Sequence, residues 1–185
     1  MLGQQEDEEE AVSSGGRAWE PDFHWLTDEL AVGGCFPLER SRELASDHGI
    51  AAVIDLRAED CDDEQQLRAS GIEFLHLPTP DLQPATAAML ERGVCFAAQQ
   101  FAAGKKVLIH CQHGIGRSAL LALCVLVDGG WEPLDALAHA KDCREVISPS
   151  RSQYQGWADW LASRGKRAPD YHTFGCIAYR HLAAG

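Results

Sequence analysis

Long apolar runs are absent from this sequence of 185 residues. The longest, at residues 119–127, falls short of the ~18 to 20 consecutive apolar residues that cross a bilayer. A secretion signal is also missing, because acidic residues occupy positions 6–10, where such a signal has a basic start and an apolar stretch. The sequence therefore predicts a cytoplasmic protein with no membrane partner.

Positive charge and paired cysteines are also scarce. There are 16 Lys and Arg against 28 Asp and Glu, a formal net charge of −12 at pH 7. This balance opposes general nucleic-acid binding, which needs basic side chains to neutralise phosphates, although local positive potential can still capture a small phosphorylated ligand. The seven cysteines are an odd set without CxxC spacing, which is typical of reduced thiols rather than a disulfide framework.

Three segments differ in composition. Residues 1–18 combine an acidic cluster with Ser and Gly and have little apolar surface, so we predict a disordered tail there. Residues 19–165 alternate strand-like and helix-like patterns and are expected to form one catalytic domain. Residues 166–185 mix aromatic and polar side chains, and the sequence leaves open whether they pack as an added segment or form a tail.

The alternation of the two patterns predicts an α/β fold. The expected strands are 29–33, 51–56, 73–77 and 106–110, and the expected helices are 38–48, 61–70, 86–103, 117–127, 133–143 and 150–163. Such an order gives a single domain with a mainly parallel sheet of about four to five strands flanked by helices. Its functional site is expected in loops at the carboxyl ends of the strands.

The segment 110–118, His-Cys-Gln-His-Gly-Ile-Gly-Arg-Ser, joins a strand to a helix. Five residues that include two glycines separate Cys111 from Arg117, and wrapping them brings successive backbone N–H groups together into an anion-binding nest. Glycine also lets the backbone approach a phosphate closely. The predicted phosphate-binding residues are Gln112, His113, Gly114, Ile115, Gly116 and Arg117.

Cys111 is the predicted nucleophile. The positive potential of the nest and of Arg117 stabilises a thiolate, which is the reactive form. The guanidinium of Arg117 offers two planar donors to phosphate oxygens. Ser118 is expected to donate its hydroxyl proton to the sulfur when the sulfur leaves, and His110 to orient the loop by hydrogen bonding to backbone.

Expelling an alkoxide or phenoxide also requires an acid. Asp81 is the predicted proton donor, because it lies in the proline-rich loop 78–84 that follows the third strand. Asp55 and Asp60 are alternatives, but Asp55 is expected to hold a loop or to pair with Arg57.

The H-C-x5-R-S pattern at 110–118 resembles the protein tyrosine phosphatase superfamily. Pro80-Asp81, the opening Phe23-His24-Trp25, residues 53–56 and the overall size are similar to its small dual-specificity branch, over about residues 22–164. The resemblance implies the cysteine-phosphatase fold, with no cofactor and no metal. It also implies a phosphocysteine on Cys111, clamped by Arg117, with Asp81 first protonating the leaving group and then activating water. Gln153 or Gln155 would correspond to a glutamine that positions this water.

The implied substrate is phosphotyrosine and phosphoserine or phosphothreonine on proteins, or a small phosphorylated molecule. His113 is unusual for the dual-specificity branch and is similar to cysteine-dependent RNA 5′-phosphatases, so an RNA or other non-protein phosphatase is the alternative. Inositol-lipid phosphatases of the superfamily tend to have lysines in this loop, where the chain has Gln112, His113 and Ile115. A lipid substrate is therefore less expected.

Two other classes of function compete. A zinc site would join Cys111 and His113 with His139 and Cys143, although structural zinc sites usually show tighter paired spacing. A non-catalytic phosphate-binding module would need no nucleophile, and the presence of Cys111, Arg117 and Asp81 together argues against it.

Overall fold

The computed structural model describes residues 19–182, so the predicted acidic tail lies outside the described residues. Five strands form one sheet in the order β1-β2-β5-β3-β4. They are β1 Phe23–Trp25, β2 Leu30–Gly33, β3 Ile50–Arg57, β4 Glu73–Thr79 and β5 Lys106–His110. β1 pairs antiparallel with β2, and the other pairs are parallel. The predicted α/β fold with a mainly parallel sheet is confirmed.

The helices alternate with the strands. They are α1 Ser41–His48, α2 Glu64–Ala69, α3 Ala87–Ala102, α4 Arg117–Asp128, α5 Pro133–Cys143, α6 Arg151–Ser163 and α7 Tyr171–Ala178, with short 3-10 turns at Leu38–Arg40 and Arg180–Leu182. Side chains that accept backbone N–H groups begin several of them, such as Thr86 before α3 and Ser150 before α6. Among the described residues, no helix has both the length and the hydropathy needed to span a bilayer.

Two differences from the sequence prediction have physical causes, and the structure also answers a question that the sequence left open. β1 is only three residues long, too short for a periodic pattern to reveal it. β4 continues to Thr79, beyond the predicted end at Leu77. Pro78 is tolerated in that strand because β4 lies at the edge of the sheet. The segment after residue 165 contains α7, whose Phe174 is fully buried against the main core.

The core has one layer on each face of the sheet, and β5 runs through its middle. Val107 and Ile109 of β5 pack into the larger cluster with α3, α4 and α6, whereas Leu108 packs into the smaller cluster with α1 and α2. Residues 117–127 of α4 are all buried. The loop between β5 and α4 is therefore fixed at both ends by the best-packed elements of the molecule.

Candidate active site

The loop between β5 and α4, residues 111–116, is here called the phosphate loop. Gly114 has a φ of +65°, in the left-handed region. A Cβ atom on Gly114 would lie 2.4 Å from the carbonyl carbon of Gly33, so the adjacent strand β2 leaves no space for a side chain. A Cβ atom on Gly116 would lie 2.4 Å from Oε1 of Gln153. The two glycines therefore let the phosphate loop pass against β2 and the start of α6.

Three consecutive carbonyl groups of the phosphate loop are held from the segment after α5. Arg144 is buried and donates from its guanidinium to the carbonyls of Gly114, at 3.0 Å, and His113, at 2.9 Å. The backbone N–H of Ser148 donates to the carbonyl of Ile115 at 3.0 Å. Because these carbonyls are turned outward, N–H groups of the loop are free to turn inward, which is the arrangement that binds an anion.

The sulfur of Cys111 lies inside this turn. Its Sγ is 3.3 Å from the hydroxyl oxygen of Ser118, and Cys111 is buried. Burial raises the pKa of the thiol. Hydrogen bonds from the Ser118 hydroxyl and from the backbone N–H groups of Ser118, Gly114 and His113 lower it, and their combined effect is larger than that of burial. The pKa of Cys111 therefore lies below its ordinary value. The structure thus brings the predicted nucleophile together with its predicted hydroxyl donor.

Arg117 is buried at the start of α4 and donates hydrogen bonds to two residues, Glu59 and Thr79. Its Nη1 and Nη2 donate to the two carboxylate oxygens of Glu59 at 2.7 and 2.8 Å, and Nη1 also donates to the carbonyl of Thr79 at 3.0 Å. The hydrogen bond from Arg117 lowers the pKa of Glu59 to about 2. Within residues 19–182 the buried Nε of Arg117 has no hydrogen-bond partner. This N–H is available for a phosphate oxygen.

Asp81 lies on the exposed loop after β4. Its Oδ1 is 3.5 Å from Nη2 of Arg117, and 69% of its side chain is exposed. The next residue, Leu82, has a φ of +60°, which is costly for a residue other than glycine. The alternatives Asp55 and Asp60 are both paired with Arg57 at 2.9 Å and do not line the cavity described next.

These groups surround a cavity of about 120 Å³. At ~30 Å³ for each water molecule, this volume admits a phosphoryl group and the first atoms of its leaving group. The residues that line it are Asp81, Leu82, Cys111, His113, Ile115, Gly116, Arg117, Ser148 and Gln153. Among the predicted phosphate-binding residues, Gln112 and Gly114 are not part of this lining and contribute backbone only. The carbonyl of Gln112 accepts from the N–H of Cys35 at 3.2 Å.

His110 is fully buried beneath the phosphate loop. It reaches the carbonyl of Cys111 at 3.4 Å, which fits the predicted contact with backbone, but its shorter bond is to Asp62 at 2.8 Å. Burial lowers the pKa of His110. The hydrogen bond to Asp62 and the charge of Asp55 raise it by more than burial lowers it, so the pKa lies above its ordinary value. Arg57 binds both Asp55 and Asp62, which completes a buried charged network under the site.

Gln153 rather than Gln155 lies at the cavity. Its Oε1 accepts from the N–H of Ser150 at 2.8 Å, and its Nε2 donates to the carbonyl of Gln83 at 3.3 Å. Gln155 instead binds Asp159 on the exposed side of α6. The role of Gln153 in positioning water stays a prediction, since both polar atoms of its side chain already have partners.

Glu59, Asp62 and Arg144 are absent from the predicted site. Glu59 and Asp62 belong to an acidic run that follows β3, at the carboxyl end of a parallel strand. Because active sites lie at such strand ends, this position in the sequence could have identified both residues. Arg144 follows α5 with no local motif around it. Its partners in the phosphate loop lie some 30 residues earlier in the chain and its partner Asp22 lies 122 residues earlier, so only the fold brings them together.

The zinc alternative does not have support in the described residues. His139 and Cys143 lie 3.6 Å apart on α5, and His139 also contacts the carbonyl of Leu26. Within residues 19–182, neither of the side-chain groups spaced for a metal ion includes Cys111 or His113. Both groups contain Asp55, which is already bound by Arg57.

A buried thiol of lowered pKa, an arginine at the start of the following helix and an acid on a facing loop define a cysteine-based phosphatase of the protein tyrosine phosphatase superfamily. The family model of the dual specificity phosphatase catalytic domain matches residues 37–160, and the chain belongs to this family. The resemblance drawn from the sequence is confirmed.

Known proteins of this family match most of the chain. Phosphatidylglycerophosphatase and protein-tyrosine phosphatase 1 from Mus musculus is 30% identical over 142 residues, which cover 72% of this chain and 74% of that protein. The protein of the same name from Rattus norvegicus is 31% identical over the same length. The crystal structure of PTPMT1 is similar with a TM-score of 0.70 and 27% identity, covering 77% of this chain and 98% of that one. The structure of Tk-PTP in its active form has a TM-score of 0.71 at 23% identity, which supports the fold alone.

Proposed function

We propose that this chain hydrolyses phosphate monoesters through a phosphocysteine intermediate on Cys111. The observation that carries the proposal is the position of the Cys111 sulfur, 3.3 Å from the Ser118 hydroxyl, in a cavity that Arg117 and Asp81 also line. A thiolate there faces the same small volume as the guanidinium and the acid.

In the first step the thiolate of Cys111 attacks phosphorus, an S–P bond forms and the P–O bond to the leaving group breaks. The electron pair stays on the departing oxygen, which takes a proton from the carboxyl of Asp81. In the second step the carboxylate of Asp81 takes a proton from water, whose oxygen attacks phosphorus. The S–P bond breaks, and the hydroxyl of Ser118 stabilises the returning thiolate. The loop N–H groups and Nε of Arg117 balance the charge on the phosphoryl oxygens in both steps.

Phosphorylated proteins are the first candidate substrate. Membership of the dual specificity phosphatase family supports this proposal, as does the name of the mouse relative, which includes protein-tyrosine phosphatase. The cavity reaches the surface beside the exposed Asp81 and Leu82, which gives a phosphorylated side chain access to Cys111.

A phospholipid monoester is the second candidate. The mouse and rat relatives are named phosphatidylglycerophosphatase, and a solved structure holds PTPMT1 in complex with PI(5)P. Two of the cavity-lining side chains, Leu82 and Ile115, are apolar and exposed, at 63% and 37%. These side chains favour a substrate with hydrocarbon near its phosphate. The sequence disfavoured a lipid substrate because the phosphate loop has no lysines, whereas this apolar lining favours one.

The catalytic proposal is tested by p-nitrophenyl phosphate hydrolysis in EDTA. We expect turnover by the wild-type chain, none by Cys111→Ser, and wild-type rates from Cys95→Ser, which changes an exposed cysteine in α3. Quenched wild-type enzyme should carry one phosphoryl group on Cys111 by mass spectrometry, and vanadate should inhibit competitively. Wild-type-like rates from Cys111→Ser would sink the assignment.

The substrate is tested by comparing kcat/KM across phosphotyrosine and phosphothreonine peptides, phosphatidylglycerophosphate in vesicles, and 5′-phosphorylated RNA. If the lipid is the substrate, Leu82→Ser and Ile115→Ser should reduce lipid hydrolysis while p-nitrophenyl phosphate hydrolysis is kept. If proteins are the substrate, the peptides should be preferred, and the two substitutions should change lipid hydrolysis and p-nitrophenyl phosphate hydrolysis equally.

We also propose a cytoplasmic location, on the basis of the thiols. All seven cysteines are free, which suits a reducing compartment. Fractionation of cells that express the chain tests this, and recovery in an oxidising compartment would contradict it.

A further inference from the structure

One short segment supports both loops of the active site. It comprises residues 144–150, between α5 and α6, and is here called the α5–α6 loop. Arg144 and Ser148 hold three carbonyls of the phosphate loop, as described above. Ser150 donates its hydroxyl to the carbonyl of Leu82 at 2.7 Å, next to the predicted acid Asp81. A shift of the α5–α6 loop would therefore disturb the phosphate loop and the acid loop together.

Lys141 holds the first half of the α5–α6 loop from inside. Its side chain is fully buried, and its Nζ donates to the carbonyls of Glu145 and of Ile147, the latter at 2.8 Å. The third donor of Nζ contacts Nδ1 of His181 at 2.6 Å. Burial and the charge of Arg180 lower the pKa of Lys141 to about 8, so the amine is still mainly protonated at neutral pH and all three donors are in use.

Tyr179 holds the second half of the same loop. Its hydroxyl donates to the carbonyl of Pro149 at 2.7 Å. Phe174 of α7, five residues before Tyr179, is fully buried against Tyr154 and Trp157, with ring centroids 4.9 and 6.1 Å away. This aromatic contact fixes α7, and α7 in turn fixes the position of the Tyr179 hydroxyl.

Tyr179 and His181 come from a part of the chain that the family model does not reach, since its match ends at residue 160. We propose that this C-terminal segment, residues 171–182, is a positioning element of the active site. Tyr179 and His181 hold the α5–α6 loop so that the carbonyls of the phosphate loop stay turned outward and its N–H groups stay turned toward the sulfur and the phosphate. The proposal rests on the proposed function for its kinetic readout only.

The chain offers a matched pair of substitutions to test this. Tyr179→Phe removes one hydroxyl, with its bond to Pro149 and its longer contact, at 3.4 Å, with the hydroxyl of Tyr171. Tyr154→Phe removes an equivalent hydroxyl, which donates to the carbonyl of Pro169 at 2.8 Å and does not touch the α5–α6 loop. Both variants should lose similar thermal stability, since each loses one hydroxyl bond to a proline carbonyl.

Only Tyr179→Phe should raise the KM for p-nitrophenyl phosphate and the Ki for vanadate, by about 2- to 10-fold, which corresponds to the loss of one ordinary hydrogen bond. It should also move the pH midpoint of Cys111 alkylation by iodoacetate upward, because the N–H groups that stabilise the thiolate are less well aligned. Alkylation needs no turnover, so it reports on the phosphate loop even if the enzyme acts on none of the substrates tried.

A second pair covers the case in which Tyr179→Phe does not fold. His181→Asn keeps an acceptor for Lys141 and should retain wild-type KM and alkylation behaviour, whereas His181→Leu should raise both the KM and the alkylation midpoint. The positioning role is overturned if Tyr179→Phe behaves as Tyr154→Phe, or if His181→Leu behaves as His181→Asn. Absence of turnover by the wild-type chain would instead overturn the proposed function.

Discussion

Glu59 binds the guanidinium of Arg117 through both carboxylate oxygens, at 2.7 and 2.8 Å, although the two residues are 58 positions apart in the chain. The pair fixes the plane of the guanidinium, and among the described residues Nε of Arg117 has no hydrogen-bond partner. Glu59 therefore orients the guanidinium of Arg117 so that its Nε edge can bind the phosphate.

Glu59→Gln should weaken catalysis without removing the arginine. The neutral amide keeps at most one of the two bonds to Arg117, so the guanidinium is less fixed. We expect kcat/KM for p-nitrophenyl phosphate to fall by about tenfold. This corresponds to the free energy of one hydrogen bond to a charged group, reduced because Glu59 is partly exposed to solvent. Asp60→Asn is the control, since Asp60 binds Arg57 instead. Equal losses from both variants would mean that the effect is not transmitted through Arg117.

Asp81→Asn should separate good leaving groups from poor ones. A p-nitrophenolate departs without a proton, whereas an alkoxide needs one, so kcat should fall by about 10²- to 10⁴-fold for alkyl phosphates and much less for p-nitrophenyl phosphate. The slope of log kcat against leaving-group pKa measures this directly. A uniform loss across the series would indicate that another group is the acid.

Ser118→Ala should raise the pKa of Cys111, because the Ser118 hydroxyl is the largest of the groups that lower it. The pH dependence of iodoacetate alkylation measures the shift, and its midpoint in the wild-type chain should lie below the ordinary thiol value. The second chemical step should also slow, giving an initial burst of p-nitrophenol. An unchanged alkylation midpoint in Ser118→Ala would contradict the geometry described for the sulfur.

The same lowered pKa has a consequence for stability. Between the folded pKa of Cys111 and the unfolded value of 9.0, the unfolded chain holds a proton on this thiol that the folded chain has lost. The free energy of unfolding contributed by this group therefore rises with pH through that window and is lost as pH falls through the folded pKa. Cys111→Ser should remove this part of the pH dependence in urea titrations.

Gly114→Ala should destabilise the protein for two reasons, its φ of +65° and the contact at 2.4 Å with the backbone of Gly33. Gly165→Ala separates them, because Gly165 has a φ of +68° and nothing within 4 Å of an added Cβ. We expect about 1 kcal/mol of lost stability for Gly165→Ala from backbone strain alone, and about 2 to 4 kcal/mol for Gly114→Ala with loss of vanadate binding. Equal losses would mean that β2 can move away.

The sequence predicts those parts of the site that are contiguous in the chain. Residues 110–118 carry their own chemistry in a short pattern, and the proline-rich loop marks Asp81. Glu59 and Arg144 act through partners 58 and some 30 residues away, and no local pattern encodes such a distance. Their contacts exist only after β3 and β5 pair in parallel and α5 packs against α4.

The fold shows the same division. Long helices and buried strands have patterns that a sequence reveals, and their predicted positions match the structure closely. β1 is missed because three residues cannot show a period. The sequence leaves α7 open, because the burial of its Phe174 depends on Tyr154 and Trp157 of α6, a contact that only the fold creates.

The sulfur of Cys111 lies between the central strand β5 and the buried helix α4. Asp81, in contrast, lies in an exposed turn next to Leu82, whose backbone is strained. The side chains of Pro80, Leu82 and Gln83 are exposed, so they can be exchanged without repacking the interior while Asp81 is kept. Acquiring a new substrate would then require changes in only a few surface positions, while the attacking group stays as it is.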